Sequence, residues 1–186
     1  MNFDLKVREI TLETFLLTGK INNKNLVNNL IDFIRNNKDE ELSYKTSVKG
    51  HFTGFQSLIR NKDFINFLKI IQPQIKFLHK ENFEIKGAWG NICRYNEEVV
   101  EHDHSTVNAF CGILYLSEGG PGTYFKDYDL TVNEEIGKYI LFHPKLLHKV
   151  NKIDKNIERI TVAFNINKFP SDYSVNPIEW VNKNDI

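Results

Sequence analysis

The 186-residue sequence predicts a mainly β fold with N-terminal helices, an α+β arrangement in a single domain. Apolar residues recur at helical spacing only within residues 1–82, whereas residues 83–166 contain short apolar stretches separated by Gly, Asn and Pro. The number and length of these stretches favour a double-stranded β-helix, the jelly roll of cupin-like proteins. Two or three helices would buttress it on one side.

The composition is that of a folded chain without a dominant charge. Hydrophobic residues make up 41% and aromatic residues 12%, and 24 basic residues balance 24 acidic ones. This balance provides no field that would attract nucleic acid or anionic lipid, so neither is an expected partner. The first residues lack the pattern of a signal peptide, and no apolar stretch approaches the roughly 20 residues of a membrane span. We therefore expect a cytoplasmic protein.

The first 82 residues are predicted to hold the supporting elements. Partial alternation within residues 3–18 indicates one or two short strands, and apolar spacing predicts an amphipathic helix over about 23–36. Residues 37–57 are predicted to form an irregular loop. A second helical pattern runs from Phe64 to Leu78, where Pro73 predicts either a kink or two short helices.

The jelly-roll core is predicted within residues 83–166, and residues 167–186 are expected to lie over its surface as a tail. The acidic residues between the later strands are interpreted as solvated loop charges, and Glu134 and Glu135 are among them. The candidate strands are 83–95, 99–104, 108–117, 122–126, 137–142, 147–152 and 158–166.

The histidine pair His102 and His104 is the first indication of chemistry. Alternate residues of a strand share a face, so both imidazoles can bind one cation while Asp103 faces away. Iron, zinc, copper and nickel all accept imidazole ligands. A β-bulge would instead bring Asp103 inward in place of His104. The third ligand is expected to be His148, with His143 as its competitor.

Arg159 follows the distal histidine, His148, by eleven residues. If residues 153–156 close a hairpin, His148 lies opposite Thr161, and both share a face with Arg159. A guanidinium can bind a carboxylate through two parallel hydrogen bonds. The pattern therefore predicts a dicarboxylate with one end on the metal and the other on Arg159, with Arg94 as the alternative carboxylate binder.

Several segments, taken in order, resemble the 2-oxoglutarate/Fe(II)-dependent oxygenase superfamily, and more narrowly the small oxygenases of marine bacteria and phages. The resemblance covers about residues 85–166, and an arginine eleven residues after the distal histidine is its most specific feature. The matching segments are Ala88-Trp89-Gly90-Asn91-Ile92, Glu101-His102-Asp103-His104-Ser105, Gly112-Ile113-Leu114-Tyr115-Leu116, Gly137-Lys138-Tyr139-Ile140-Leu141-Phe142, Leu147-His148-Lys149-Val150 and Glu158-Arg159-Ile160-Thr161-Val162-Ala163-Phe164-Asn165.

The resemblance implies a dioxygenase that uses Fe(II), 2-oxoglutarate and O2. Such an enzyme hydroxylates an unactivated carbon of a polypeptide side chain or a small metabolite and releases succinate and CO2. It implies that His102 and His148 bind iron, and that Arg159, supported by Thr161, binds the far carboxylate of 2-oxoglutarate. The phage resemblance extends the expected location to the cytoplasm of a host cell.

The second ligand position departs from the superfamily's usual His-x-carboxylate pattern, because His104 stands where the carboxylate is expected. The narrower family favours His-x-His, so His104 is the expected ligand and Asp103 its substitute. Asn91 and Tyr95 are further candidate contacts to the co-substrate.

Two other functions are compatible with the same residues. One is a three-histidine, cupin-type metalloenzyme that does not use 2-oxoglutarate and has no need of Arg159. The other is a non-catalytic jelly-roll domain that binds a partner but binds neither metal nor co-substrate tightly. No sequence feature selects an oligomeric state.

Overall fold

The computed structural model describes residues 6–11, 14–78, 83–107 and 109–168. A short 3₁₀ turn, Lys126–Tyr128, interrupts the later strands. The helices are α1 (Lys24–Asn36) and α2 (Lys62–Leu78), and the strands are β1 (Lys6–Thr11), β2 (Thr14–Lys20), β3 (His51–Phe52), β4 (Phe83–Cys93), β5 (Val99–His102), β6 (Phe110–Tyr115), β7 (Thr123–Phe125), β8 (Leu130–Val132), β9 (Lys138–Phe142), β10 (His148–Val150) and β11 (Arg159–Lys168).

The strands form two facing antiparallel sheets. The larger sheet has seven strands in the order β1-β2-β9-β6-β11-β4-β3, and the smaller has four in the order β5-β10-β7-β8. Strands that are distant in sequence are neighbours in both sheets, as in a double-stranded β-helix. The predicted mainly β jelly roll with supporting helices is confirmed.

The predicted elements correspond closely to the observed ones. Each of the seven predicted strands overlaps an observed strand, while the short strands β3 and β8 were not predicted. Helix α1 begins directly after Asn23, whose side-chain oxygen accepts a hydrogen bond from the Leu26 amide at 3.1 Å. Helix α2 continues through Pro73 as one helix, not two.

Some expectations concern residues outside the described ranges. Of the predicted tail, residues 167 and 168 end β11 and the others lie outside the described part of the chain. Within that part, neither helix combines the length and apolar character needed to cross a membrane.

The core has two layers, one on each face of the larger sheet. The first lies between this sheet and the two helices, where apolar residues of α1 and α2 meet those of the strands. The second lies between the two sheets and includes Phe125, Phe142 and Tyr115. Strand β11 contributes to the first layer through Ile160, Val162, Phe164 and Ile166.

The hairpin predicted from residues 153–156 is absent, and β10 and β11 lie in different sheets. Strand β10 pairs with β5 and β7, whereas β11 pairs with β4 and β6. The connection between them hydrogen-bonds with the turn before β5: the Asn96 amide donates to the Ile153 carbonyl, and the Ile153 amide donates to Glu97. The backbone groups of Ile153 therefore bond with residues 96 and 97 and not within a hairpin, and the chain crosses from the smaller sheet to the larger one.

Gly90 sets the distance between helix α1 and the larger sheet. A Cβ atom added at Gly90 would collide with the side chain of Ile34, which is fully buried on α1. Only a residue without a side chain lets the helix approach the centre of β4 this closely.

We expect Gly90→Ala to lower the free energy of unfolding by about 1–3 kcal/mol, because the added methyl overpacks a filled core. Urea denaturation would measure the loss. Gly90→Ala should cost less in an Ile34→Ala background than in the wild-type protein, since Ile34→Ala removes the γ and δ carbons that the added methyl would meet. An equal cost of Gly90→Ala in the two backgrounds would contradict this contact as the cause.

Candidate active site

A cavity of about 470 Å³ lies between the two sheets. Its floor is one face of strand β11, because alternate residues of a strand point to the same side. These residues are Arg159, Thr161, Ala163 and Asn165. Arg159 and Thr161 are buried, at 2% exposure each, whereas Ala163 and Asn165 are partly exposed. The cavity therefore has a deep end at Arg159 and an open end at Asn165.

Three histidines from the smaller sheet face this floor. His102 ends β5 and His148 begins β10, and the two are direct partners across the antiparallel pair. His104 follows two residues after His102. The ring centroids lie 4.3 Å apart for His102 and His148, 5.1 Å for His102 and His104, and 5.2 Å for His104 and His148. One nitrogen from each ring lies within 4.8 Å of the others, so the three can share one cation.

Backbone carbonyls fix the tautomer of two of these rings. Nδ1 of His102 lies 2.8 Å from the Val100 carbonyl oxygen, and Nδ1 of His148 lies 2.9 Å from that of Leu146. A carbonyl only accepts hydrogen bonds, so each Nδ1 must carry the proton. The lone pair on each Nε2 is then available for a metal, in the arrangement usual for histidine ligands.

Burial keeps the histidines neutral. It lowers the pKa of His148 to about 3, helped by the neighbouring His102. It likewise lowers the pKa of His104 to about 4, again with a contribution from His102, and it lowers the pKa of His102. A neutral imidazole is the form that binds metal, so no proton has to be displaced near neutral pH.

The two competing ligands lie outside the histidine cluster. Asp103 is exposed, and its carboxylate accepts a hydrogen bond from the Ser105 amide. The pairing of β5 with β10 does shift register, but the extra residue precedes His102, so His102 and His104 both remain directed at the cavity. His143 follows β9, where its Nδ1 accepts a hydrogen bond from the Lys145 amide.

Arg159 is held at the deep end by contacts from several strands. Its Nε donates to the Pro121 carbonyl at 3.2 Å, and Nη2 lies 3.5 Å from the Thr123 hydroxyl. The guanidinium carbon lies 5.6 Å from the centre of the Tyr115 ring, and the Tyr115 hydroxyl donates to Thr123 at 2.7 Å. A carboxylate oxygen of Glu134 lies 3.3 Å from Nε. The cation is thus oriented before any ligand binds.

The other predicted co-substrate contacts separate into two groups. Asn91 and Thr161 are direct partners across β4 and β11, both line the cavity, and the Asn91 amide lies 3.4 Å from the Thr161 hydroxyl. Tyr95 is 66% exposed and does not line the cavity. Arg94 pairs with Glu158 at 2.7 Å near the surface, so it does not compete with Arg159.

The interpretation of Glu134 as a solvated loop charge is wrong. Its side chain is 1% exposed and lies beside Arg159, whereas Glu135 is exposed and pairs with Lys20. The alternation of β8 continues beyond its end, with Val132 and Glu134 buried and Asn133 and Glu135 exposed. That alternation was the available signal, but three strand residues were too few to establish it from the sequence.

The open end of the cavity combines aromatic and polar groups. Phe55, which is 49% exposed, packs edge to face on Trp89 with 5.3 Å between ring centroids. Lys86 lies at the mouth and donates to the Thr106 carbonyl at 2.7 Å. Thr46, Ser47 and Val48, from the predicted loop over 37–57, complete the rim. No Asp or Glu is among the described residues that line the cavity.

The comparisons with known proteins agree with the fold described above. The collagen prolyl hydroxylase of Paramecium bursaria Chlorella virus-1, solved with 2-oxoglutarate, aligns over 82% of this chain and 96% of its own, with a TM-score of 0.59 and 14% identity. HygX of Streptomyces hygroscopicus, solved with nickel, 2-oxoglutarate and hygromycin B, aligns over 84% and 83%, with a TM-score of 0.62 and 11% identity. The fold is that of the 2-oxoglutarate-dependent oxygenases.

A third structure with a similar fold belongs to an enzyme named for a reaction other than hydroxylation. The α-ketoglutarate-dependent carbocyclase SnoK from nogalamycin biosynthesis aligns over 83% of this chain and 80% of its own, with a TM-score of 0.65 and 11% identity. No protein-family model matches the sequence, and the search of curated proteins found no relative. These similarities establish the fold only. Function is inferred from the three histidines and Arg159 that line the cavity.

We expect the metal-free protein to lose stability as the pH falls from 6.5 towards 5. The unfolded chain binds protons at its histidines near pH 6.5, whereas burial holds the pKa of His104 to about 4 and that of His148 to about 3 in the fold. The unfolded state then holds about two more protons, so the free energy of unfolding decreases with falling pH.

Urea denaturation in the presence of a chelator, at pH 7.0, 6.0 and 5.0, would test this expectation. The variant His148→Asn should show a shallower pH dependence, by about one proton, because the group that resists protonation has been removed. A slope identical to that of the wild-type protein would contradict the assignment.

Proposed function

We propose that this protein is an Fe(II)- and 2-oxoglutarate-dependent dioxygenase that hydroxylates an unactivated carbon and releases succinate and CO2. One observation carries the proposal. His102 and His148 of the smaller sheet, His104 just beyond the end of β5, and a buried arginine on the facing sheet all line the same cavity. A dicarboxylate can reach the histidines and the arginine at once, and the neighbouring folds are those of 2-oxoglutarate-dependent enzymes. Residues 1–186 form a single domain in this proposal.

His102, His104 and His148 would hold the iron through ring nitrogens that already lie close together. Bound there, the iron would activate O2 with electrons from 2-oxoglutarate. Three neutral ligands leave the full 2+ charge of the ion uncompensated, so a dianionic co-substrate balances it. A site with a carboxylate ligand in place of His104 would attract that dianion less strongly.

Arg159 would bind the far carboxylate of 2-oxoglutarate, with Thr161 and Asn91 beside it. Its guanidinium is 2% exposed, so an anion bound there is shielded from water and from salt. The contacts of Arg159 to Pro121 and Thr123 orient the cation in advance, which reduces the entropy lost on binding.

The open end of the cavity would receive the prime substrate. Phe55 and Trp89 offer an apolar wall, and Lys86 and Asn165 offer polar contacts around it. A polypeptide side chain or a small metabolite fits this description, and the neighbours with a prolyl hydroxylase activity and with bound hygromycin B represent both classes. We place the reaction in a reducing cytoplasm, where Cys93 and Cys111 remain free thiols.

A cupin-type metalloenzyme without 2-oxoglutarate and a non-catalytic binding domain remain the rival functions. In the first, no carboxylate of a co-substrate would bind to the buried, pre-oriented Arg159. The second would not need three clustered histidines, two of which have an Nε2 lone pair available for a metal. Both are separated from the proposal by the two experiments that follow.

The metal ligands can be tested with matched pairs of variants. We expect His104→Ala and His148→Ala each to weaken Fe(II) binding by at least about a hundredfold, because each removes a direct ligand. The neighbouring changes Asp103→Ala and His143→Ala should leave binding unchanged. Elemental analysis after anaerobic gel filtration measures the iron retained, and loss of iron in Asp103→Ala with retention in His104→Ala would reverse the assignment.

The co-substrate can be detected directly. Anaerobic titration of the Fe(II)-loaded protein with 2-oxoglutarate should give a weak visible charge-transfer band that saturates. Arg159→Ala should cost about 2 kcal/mol or more, roughly thirtyfold in affinity, since it removes a buried charge-assisted contact. Arg94→Ala, which alters a surface arginine, should bind 2-oxoglutarate like the wild-type protein.

The outcomes distinguish the three functions. Iron binding without a band would favour the cupin-type metalloenzyme, and absence of iron binding would favour the non-catalytic domain. A band whose saturation is unchanged in Arg159→Ala would remove Arg159 from the co-substrate site.

A further inference from the structure

Glu134 is a buried acidic residue beside the arginine that would have to accept an anion. Its side chain is 1% exposed, and one of its carboxylate oxygens lies 3.3 Å from Nε of Arg159. The other oxygen, Oε1, accepts a hydrogen bond from the Gly120 amide at 2.6 Å. The guanidinium that faces the deep end of the cavity therefore already has an anionic neighbour.

The oxygen nearest Arg159 has no hydrogen bond of its own. The hydrogen on Nε is directed at the Pro121 carbonyl, and within the described part of the chain no group donates a hydrogen bond to Oε2 of Glu134. A buried carboxylate oxygen without a donor is poorly stabilised as an anion. Oε2 is thus the atom on which a proton would be held most readily.

Binding of a second carboxylate to Arg159 would place two anions on one guanidinium. Nη1 of Arg159 donates no hydrogen bond to any described residue, and Nη2 has only the long contact with Thr123, so this end of the guanidinium remains for a ligand. Two buried carboxylates that share a site do not both stay ionised, because their repulsion is weakly screened.

We propose that Glu134 takes up a proton when the far carboxylate of the co-substrate binds to Arg159, so that this pocket exchanges one anion for another. This inference rests on the proposed function. Glu134 is then a residue of the carboxylate site that acts through Arg159, and the affinity for 2-oxoglutarate decreases as the pH rises above the range in which Glu134 is readily protonated.

The surroundings of Glu134 are consistent with this role. Burial raises its pKa and Glu118 adds to the increase, while Arg159 and the Gly120 amide oppose it. Tyr115 of β6 also faces the pair, and burial raises the pKa of its hydroxyl, so it stays neutral where Glu134 would respond. Burial thus favours the protonated carboxyl group while Arg159 favours the ionised one, and an additional anion on Arg159 weakens the second effect.

The test counts protons directly. Isothermal titration of the Fe(II)-loaded protein with 2-oxoglutarate, under anaerobic conditions in two buffers of different ionisation enthalpy, gives the number of protons taken up per ligand bound. At pH 6.0, 7.0 and 8.0 we expect uptake that approaches one proton at its maximum. In that pH range the affinity should fall by up to about tenfold per pH unit.

Glu134→Gln should abolish the uptake and make the affinity independent of pH, because the amide has the shape of the protonated carboxyl group. Glu135→Gln changes the adjacent, exposed glutamate and should behave like the wild-type protein. No uptake by the wild-type protein at any of the three pH values would overturn the inference, as would full uptake by Glu134→Gln.

The wild-type measurement decides the question even if Glu134→Gln fails to fold. Failure of the proposed function has a different signature, since the wild-type protein would then release no heat of binding with 2-oxoglutarate at any pH.

Discussion

The side-chain alternation of strand β11 is the constraint on which both the core and the candidate site depend. One face of the strand places Ile160, Val162 and Phe164 against the helices, and the other face lines the cavity from Arg159 to Asn165. A shift of one residue in the pairing of β11 would exchange these two sets. It would bury the guanidinium among the helices and expose the core, so the packing that stabilises the fold also fixes the position of the arginine.

The two ends of the cavity use burial in opposite ways. Around His148, burial removes charge, because an imidazolium surrounded by apolar groups and other histidines is disfavoured. Around Arg159, burial does not remove the charge, and the guanidinium lies beside Glu134 and Thr123. A neutral donor set and a permanent cation therefore lie opposite each other, and this is the electrostatic pattern that a metal-chelating dicarboxylate requires.

Much of this arrangement could be predicted from local patterns in the sequence. Helix α1, the seven longer or well-bounded strands and the shared face of His102 and His104 follow from periodicity within single elements. Where prediction failed, the cause was non-local: the hairpin after His148 does not form because residue 153 bonds with residues 96 and 97. Arg159 faces the histidines across the sandwich, not along a hairpin. The burial of Glu134 depends on the position of Arg159, which no pattern near residue 134 reveals.

The cavity is also assembled from parts of the chain that are far apart in sequence. Val48 forms a bridge with Val99, Phe52 pairs with Asn91, and His102 pairs with His148. Each of these closures joins segments about forty to fifty residues apart, and a fold dominated by such contacts is slow to form. During synthesis, the histidine cluster cannot form until His148 has emerged from the ribosome, and the proposed carboxylate site cannot form until Arg159 has emerged. In the proposed function, the metal can bind only after the folded sandwich has brought the three histidines together.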